Sequence, residues 1–146
     1  GLMLMKWYSR WEFFALASAF FAGLTAFLGH LGVMSVNSNL ATFIRTVVVL
    51  VMTACILSWR HQWQWPQGAA AKAWVFLVLS GLATGLSWLC YWRAMSLGPV
   101  SKVASIDKLS VAFAIILGIM FLGENLTWQL ALGAALIILG AVVILL

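Results

Sequence analysis

The chain has 146 residues, 65% of them hydrophobic and 8% charged, with a formal net charge of +5. A soluble domain is about 45–50% apolar and about 25% charged, so these proportions exclude one and, with a mean hydropathy of +1.10, predict an all-α integral membrane protein. A helical span takes about 20 apolar residues, which leaves room for five transmembrane helices and for no soluble domain. The basic balance would suggest nucleic acid in a soluble protein. Here the cations gather mainly at span ends, where they meet headgroups of the lipid bilayer and set orientation, and nucleic acid is set aside.

Residues 1–10 form an N-terminal flank and 11–146 a single transmembrane domain. Lys6 and Arg10 precede an apolar run as they would in a signal peptide. That run is long and four more follow, so a retained first span is expected. Span one covers about 13–31, with small residues recurring as Ala15, Ala19, Gly23 and as Ser18, Ala22, Thr25, Gly29, a spacing that lets helix backbones approach closely. Glu12 precedes it, near a helix N-terminus that favours negative charge.

Asn37 to Asn39 offer N-caps for span two, about 40–59. It contains Arg45, only about one and a half turns from its start. Two placements fit that cation: snorkelling to the interface, or facing a pathway. Cys55 here and Cys90 in the next span have no CxxC or His-rich context and read as buried packing thiols. The polar stretch from Arg60 to Lys72 is the longest connection and reads as an interfacial loop. By this count of spans, Trp7, Trp11, Trp59, Trp63, Trp65, Trp74 and Trp128, seven of the nine tryptophans, fall at one membrane face, as an aromatic belt would.

Span three, about 74–97, carries a polar stripe of Ser80, Thr84, Ser87 and Tyr91 beside a second stripe of Gly81, Gly85, Trp88 and Trp92. Both follow the spacing of one helix face. The hydroxyls fit equally a lined pathway or hydrogen bonds between helices. Gly81 and Gly85 fit helix packing. Arg93 lies near the far end, within snorkelling reach.

After Gly98-Pro99, span four covers about 100–122. Ser101, Ser105 and Lys108 share a stripe, with Asp107 about 100° round the helix. Neighbouring residues on a helix do not face each other, so Asp107 and Lys108 are expected not to pair simply. An ionisable group at the bilayer centre costs roughly 2.5–3.5 kcal/mol on insertion scales, which makes both candidates for function. Glu124 precedes span five and reads as a negative charge capping its N-terminus, a reading favoured over proton coupling. Span five, about 128–146, has no polar side chain after Gln129. Gly133 and Gly140 fit a packing seam, and the span reads as scaffold or oligomer contact.

Three segments carry a family resemblance: Asn39–Leu50 (NLATFIRTVVVL), Leu79–Val111 (LSGLATGLSWLCYWRAMSLGPVSKVASIDKLSV) and Phe121–Ala141 (FLGENLTWQLALGAALIILGA). In order and spacing they resemble the EamA-like family of the drug/metabolite transporter superfamily, specifically its single-domain five-helix bacterial members. The resemblance covers Trp11 to Leu146. It implies one five-helix repeat of that superfamily. Larger relatives hold two such units as inverted repeats around a cavity made by the first four helices of each. One unit resembles half a transporter, so a homodimer, antiparallel if the chain inserts both ways up, is expected to restore a midplane site. The cation tally allows this. Lys6, Arg10, Arg60 and Lys72 stand against Lys102 with the boundary residues Arg45, Arg93 and Lys108, and a cytoplasmic N-terminus in the bacterial inner membrane is only modestly favoured.

The distant four-helix multidrug exporters use a glutamate in their first helix to bind cations and protons. This chain has no acid between Phe13 and Ile106, so that chemistry does not carry over. The expected activity is secondary transport of a small-molecule substrate, anionic, zwitterionic or polar, by alternating access. Arg45 and Lys108 would bind or orient it, with Trp88, Tyr91 and Arg93 as further candidates. Asp107 would couple a proton, and Ser80, Thr84, Ser87 and Ser105 would line the route. A flippase for a lipid-linked intermediate and a non-transporting scaffold subunit are the alternatives. No cofactor or metal is expected. An enzyme is not expected either, since there is no nucleophile–His–acid set, metal cluster or phosphate loop.

Overall fold

The computed structural model describes residues 10–146, and Lys6 and Trp7 lie outside the described residues. Helix α1 spans Trp11–Val33, α2 Ser38–Trp59 and α3 Lys72–Leu97; α4 (Val100–Asp107) and α5 (Ser110–Leu122) follow, and α6 is Trp128–Leu145. With α4 and α5 counted as one span, five helices among the described residues are long and apolar enough to cross a membrane. Each predicted span is present within two residues at either end. The surface is dominated by large apolar side chains such as Phe20, Val48, Phe76, Phe121 and Leu136. Hydrocarbon accepts those faces at no cost, so a membrane helix needs no amphipathic stripe.

The helix ends have local causes. Asn37 caps α2, its Oδ1 accepting from the backbone N–H of Asn39 at 2.9 Å and of Leu40 at 3.4 Å. Thr127 caps α6 by accepting from the Leu130 N–H at 3.1 Å. Glu124 therefore does not serve as the cap expected of it. Gly123 takes the left-handed conformation at φ 67°, which reverses the chain and folds Glu124 back over the end of α5. There the Gly118 carbonyl accepts from both the Gly123 and Glu124 N–H groups, and a Cβ on Gly118 would lie 2.6 Å from Glu124 Oε2.

The chain divides into two compact units, one running from Gly32 to Leu97, the other holding α1 up to Leu31 and everything from Gly98 onward. In the first, α2 packs on α3. A 3₁₀ turn, Gly68–Ala71, leads into α3. The connection before it is pinned by its tryptophans: Trp63 Nε1 donates to Ser58 Oγ at 3.0 Å, Trp74 Nε1 donates to the Pro66 carbonyl at 3.2 Å, and Trp65 stacks on Trp74 with centroids 5.6 Å apart. In the second unit, α4 and α5 both pack on α6.

Two expectations need correction. Cys55 and Cys90 are free thiols but exposed. A Cβ built on Gly81, Gly85, Gly133 or Gly140 meets nothing within 4 Å. Span four is not one continuous helix. The Lys108 and Leu109 N–H groups bond to the carbonyls three residues back, Ser105 and Ile106, and those of Val111 and Ala112 to Lys108 and Leu109. This is a 3₁₀ stretch inside a membrane span, of the kind that marks hinges. One turn earlier, Ser105 Oγ donates to the Ser101 carbonyl at 2.6 Å, a back-bond that bends helices.

Candidate functional site

The structure groups the candidate residues in two places, one in each unit. In the Gly32–Leu97 unit, the Arg45 side chain turns onto the aromatic face of α3. Its guanidinium carbon lies 4.2 Å from the Trp92 ring centroid and 5.8 Å from that of Trp88. A cation over an indole face is held by the ring quadrupole. Trp88 and Trp92 are one helical turn apart, which aligns both rings along one side of Arg45. Trp92 is 1% exposed; Tyr91 makes an edge contact with it at 4.8 Å and interacts electrostatically with Arg45. The Arg45 side chain thus lies against the α3 face. Arg45 Nε and Trp92 Nε1 are buried with no hydrogen-bond partner among the described residues.

The hydroxyls of Ser80, Thr84 and Ser87 are on exposed residues of α3. Those of Thr42, Thr46 and Thr53 on α2 donate to carbonyls four residues back. Ser80, Thr84 and Ser87 make no such bond among the described residues, so their hydroxyls stay available to an outside partner. Arg93 is exposed and its carbonyl accepts from Ser96 Oγ at 2.6 Å.

In the other unit, Ser105 and Lys108 line an open cleft of about 230 Å³ whose remaining wall is Leu136, Ile137, Gly140, Ala141 and Ile144 of α6. Span five, read from sequence as scaffold, supplies most of this wall, and Gly140 leaves space there. Asp107 and Lys108 are both exposed at the break between α4 and α5. They form no ion pair among the described residues, in line with their placement around the helix. Among the described residues no group of three or more His, Cys, Asp or Glu could hold a metal ion.

Sequence reasoning missed three features. Trp92 was visible only as part of a stripe, although two bulky aromatics one turn apart, opposite a membrane arginine, are a usable signal for a cation–π seat. The α6 wall has no signal, because its residues are ordinary apolar ones. The 3₁₀ break also goes unannounced, with no proline or glycine at 105–112.

Five helices long and apolar enough to cross a membrane, with charged and hydroxyl side chains set within them, define a polytopic membrane protein. The chain belongs to the EamA-like transporter family, whose model matches residues 9–146. It is similar to a Sinorhizobium sp. protein described as an uncharacterized transporter in the cobO 3′ region, 49% identical over 134 residues, which are 92% of this chain and 95% of that relative. No solved structure matches it.

Proposed function

We propose that this protein is a secondary transporter that moves a small polar or amphoteric metabolite by alternating access, as a homodimer of two half-transporter units in the bacterial inner membrane. The observation that supports this is the break in span four, where Asp107 and Lys108 stand exposed, with no ion pair among the described residues. Transporters build binding sites from discontinuous helices near the midplane. Charges there cost energy that function must justify. Arg45, Arg93 and Lys108 against the single Asp107 leave the span interiors net positive, and opposite charge is favoured strongly in a low dielectric. Lys108 and Arg45 bind or orient the substrate, with Trp88, Tyr91 and Arg93 beside them, and Asp107 carries the coupling proton. Ser80, Thr84, Ser87 and Ser105 supply hydroxyls along the route. With its cation tally nearly balanced, the chain inserts in both orientations and the dimer is antiparallel.

One observation favours a second reading, a flippase or carrier for a lipid-linked intermediate: the Lys108 cleft is open and its α6 wall is wholly apolar, as an amphiphile's tail would need. Uptake into proteoliposomes across a charge series separates the two. Small carboxylates or zwitterions moving faster than quaternary ammonium compounds supports the metabolite transporter. Movement of labelled anionic lipid alone supports the flippase, and preferential movement of quaternary ammonium compounds contradicts both.

A further inference from the structure

Arg45 Nε and Trp92 Nε1 are both buried with no hydrogen-bond partner among the described residues, and the Arg45 guanidinium carbon lies 4.2 Å from the Trp92 ring centroid. Arginine and indole N–H groups only donate, so neither satisfies the other. The ring quadrupole of Trp92 steadies the guanidinium charge but accepts no conventional hydrogen bond from its N–H groups. What is missing is an acceptor, and a negative one, because a guanidinium keeps its proton. The unit cannot supply it: the sequence has no Asp or Glu anywhere between Phe13 and Ile106. A membrane arginine with two aromatic seats and no counter-ion in its own unit is a half-built ion pair.

We propose that Arg45 and Trp92 form the recognition site for a carboxylate. One carboxylate oxygen accepts from the guanidinium edge and the other from the indole N–H, while Trp88 and Trp92 keep the guanidinium plane from rotating. A carboxylate fits better than a phosphate on two counts. Its two oxygens lie in one plane, matching the planar donor fork, and its single charge balances the single cation seated there. This names the charged group of the substrate and rests on the transporter reading for the claim that the bound molecule is cargo.

The test uses the full chain in nanodiscs, labelled with ¹⁵N at tryptophan, with the Trp92 indole resonance assigned from its loss in Trp92→Phe. Sodium acetate is titrated against acetamide, phosphate and chloride at matched ionic strength. The expected result is a saturable downfield shift of the Trp92 N–H with acetate alone, with acetate affinity falling roughly ten- to a hundredfold in Arg45→Gln, the range expected for a charged hydrogen bond. Arg45→Lys, which keeps the charge and loses the fork, should fall between. No saturable shift in the wild-type chain overturns the proposal, as does an equal response to acetamide, which would mark a site for water or any neutral acceptor. A stronger response to phosphate assigns the site to phosphoryl groups instead. The measurement reads binding without transport: a saturable acetate response with no uptake would remove the transporter reading and keep the site, and uptake with no response would do the reverse.

Discussion

The Arg45 guanidinium sits 4.2 Å from the centre of the Trp92 ring, and Trp92 is one of the two large side chains fully buried among the described residues. The pair joins α2 to α3 through a charge held against an aromatic face inside a membrane span. A desolvated cation–π contact is worth about 2 kcal/mol. A double-mutant cycle of Arg45→Leu and Trp92→Leu, read by reversible unfolding in mixed micelles, should give a coupling of about 1–2 kcal/mol. Additive losses would mean that the contact contributes nothing to holding the helices.

Much of this arrangement was legible beforehand. Hydropathy and the Trp-rich connection place all five spans, and the Asn37 cap is readable from side-chain chemistry. Glu124 was misread because a carboxylate before a helix looks like a cap. Gly123 turns the chain so that Thr127 takes that role, a conformational fact that local composition does not carry. The fate of Arg45 was left open because snorkelling and burial fit the same span position, and only the facing residues on α3 decide between them.

The turn after span four supplies a second prediction. Gly123 needs φ 67°, and a side chain there costs roughly 1–2 kcal/mol. At Gly118 an added Cβ meets only the end of the Glu124 side chain, which can swing aside. Gly123→Ala should lower the thermal midpoint in detergent clearly more than Gly118→Ala, and Glu124→Ala should remove what cost Gly118→Ala has. The reverse ranking would contradict this turn.

The 3₁₀ stretch at 105–112 predicts local opening. Its i→i−3 bonds have poorer geometry than those of the flanking α-helix. Hydrogen exchange followed by mass spectrometry in nanodiscs should therefore show the amides of Lys108 to Ala112 exchanging faster than those of α6. Equal protection would mean that the span behaves as a single rigid helix.

Both cysteines are exposed, so replacing them should be nearly free. Cys55→Ala with Cys90→Ala should change stability by no more than about 0.5 kcal/mol per site, as surface substitutions do. In that background, a single cysteine placed at each terminus in turn should label from outside intact cells in a fraction of molecules in both cases, as the proposed antiparallel dimer requires. Labelling of one terminus only would remove the antiparallel assembly.

The most direct test of the transport mechanism is uptake of a small carboxylate or zwitterion into proteoliposomes holding the wild-type chain, Asp107→Asn or Lys108→Ala, with reconstituted protein matched by amount. Wild-type protein should accumulate the substrate down a proton gradient, and both variants should lose most of that uptake while reconstituting normally. Wild-type rates in both variants would place Asp107 and Lys108 outside the mechanism and contradict a site built on the broken span.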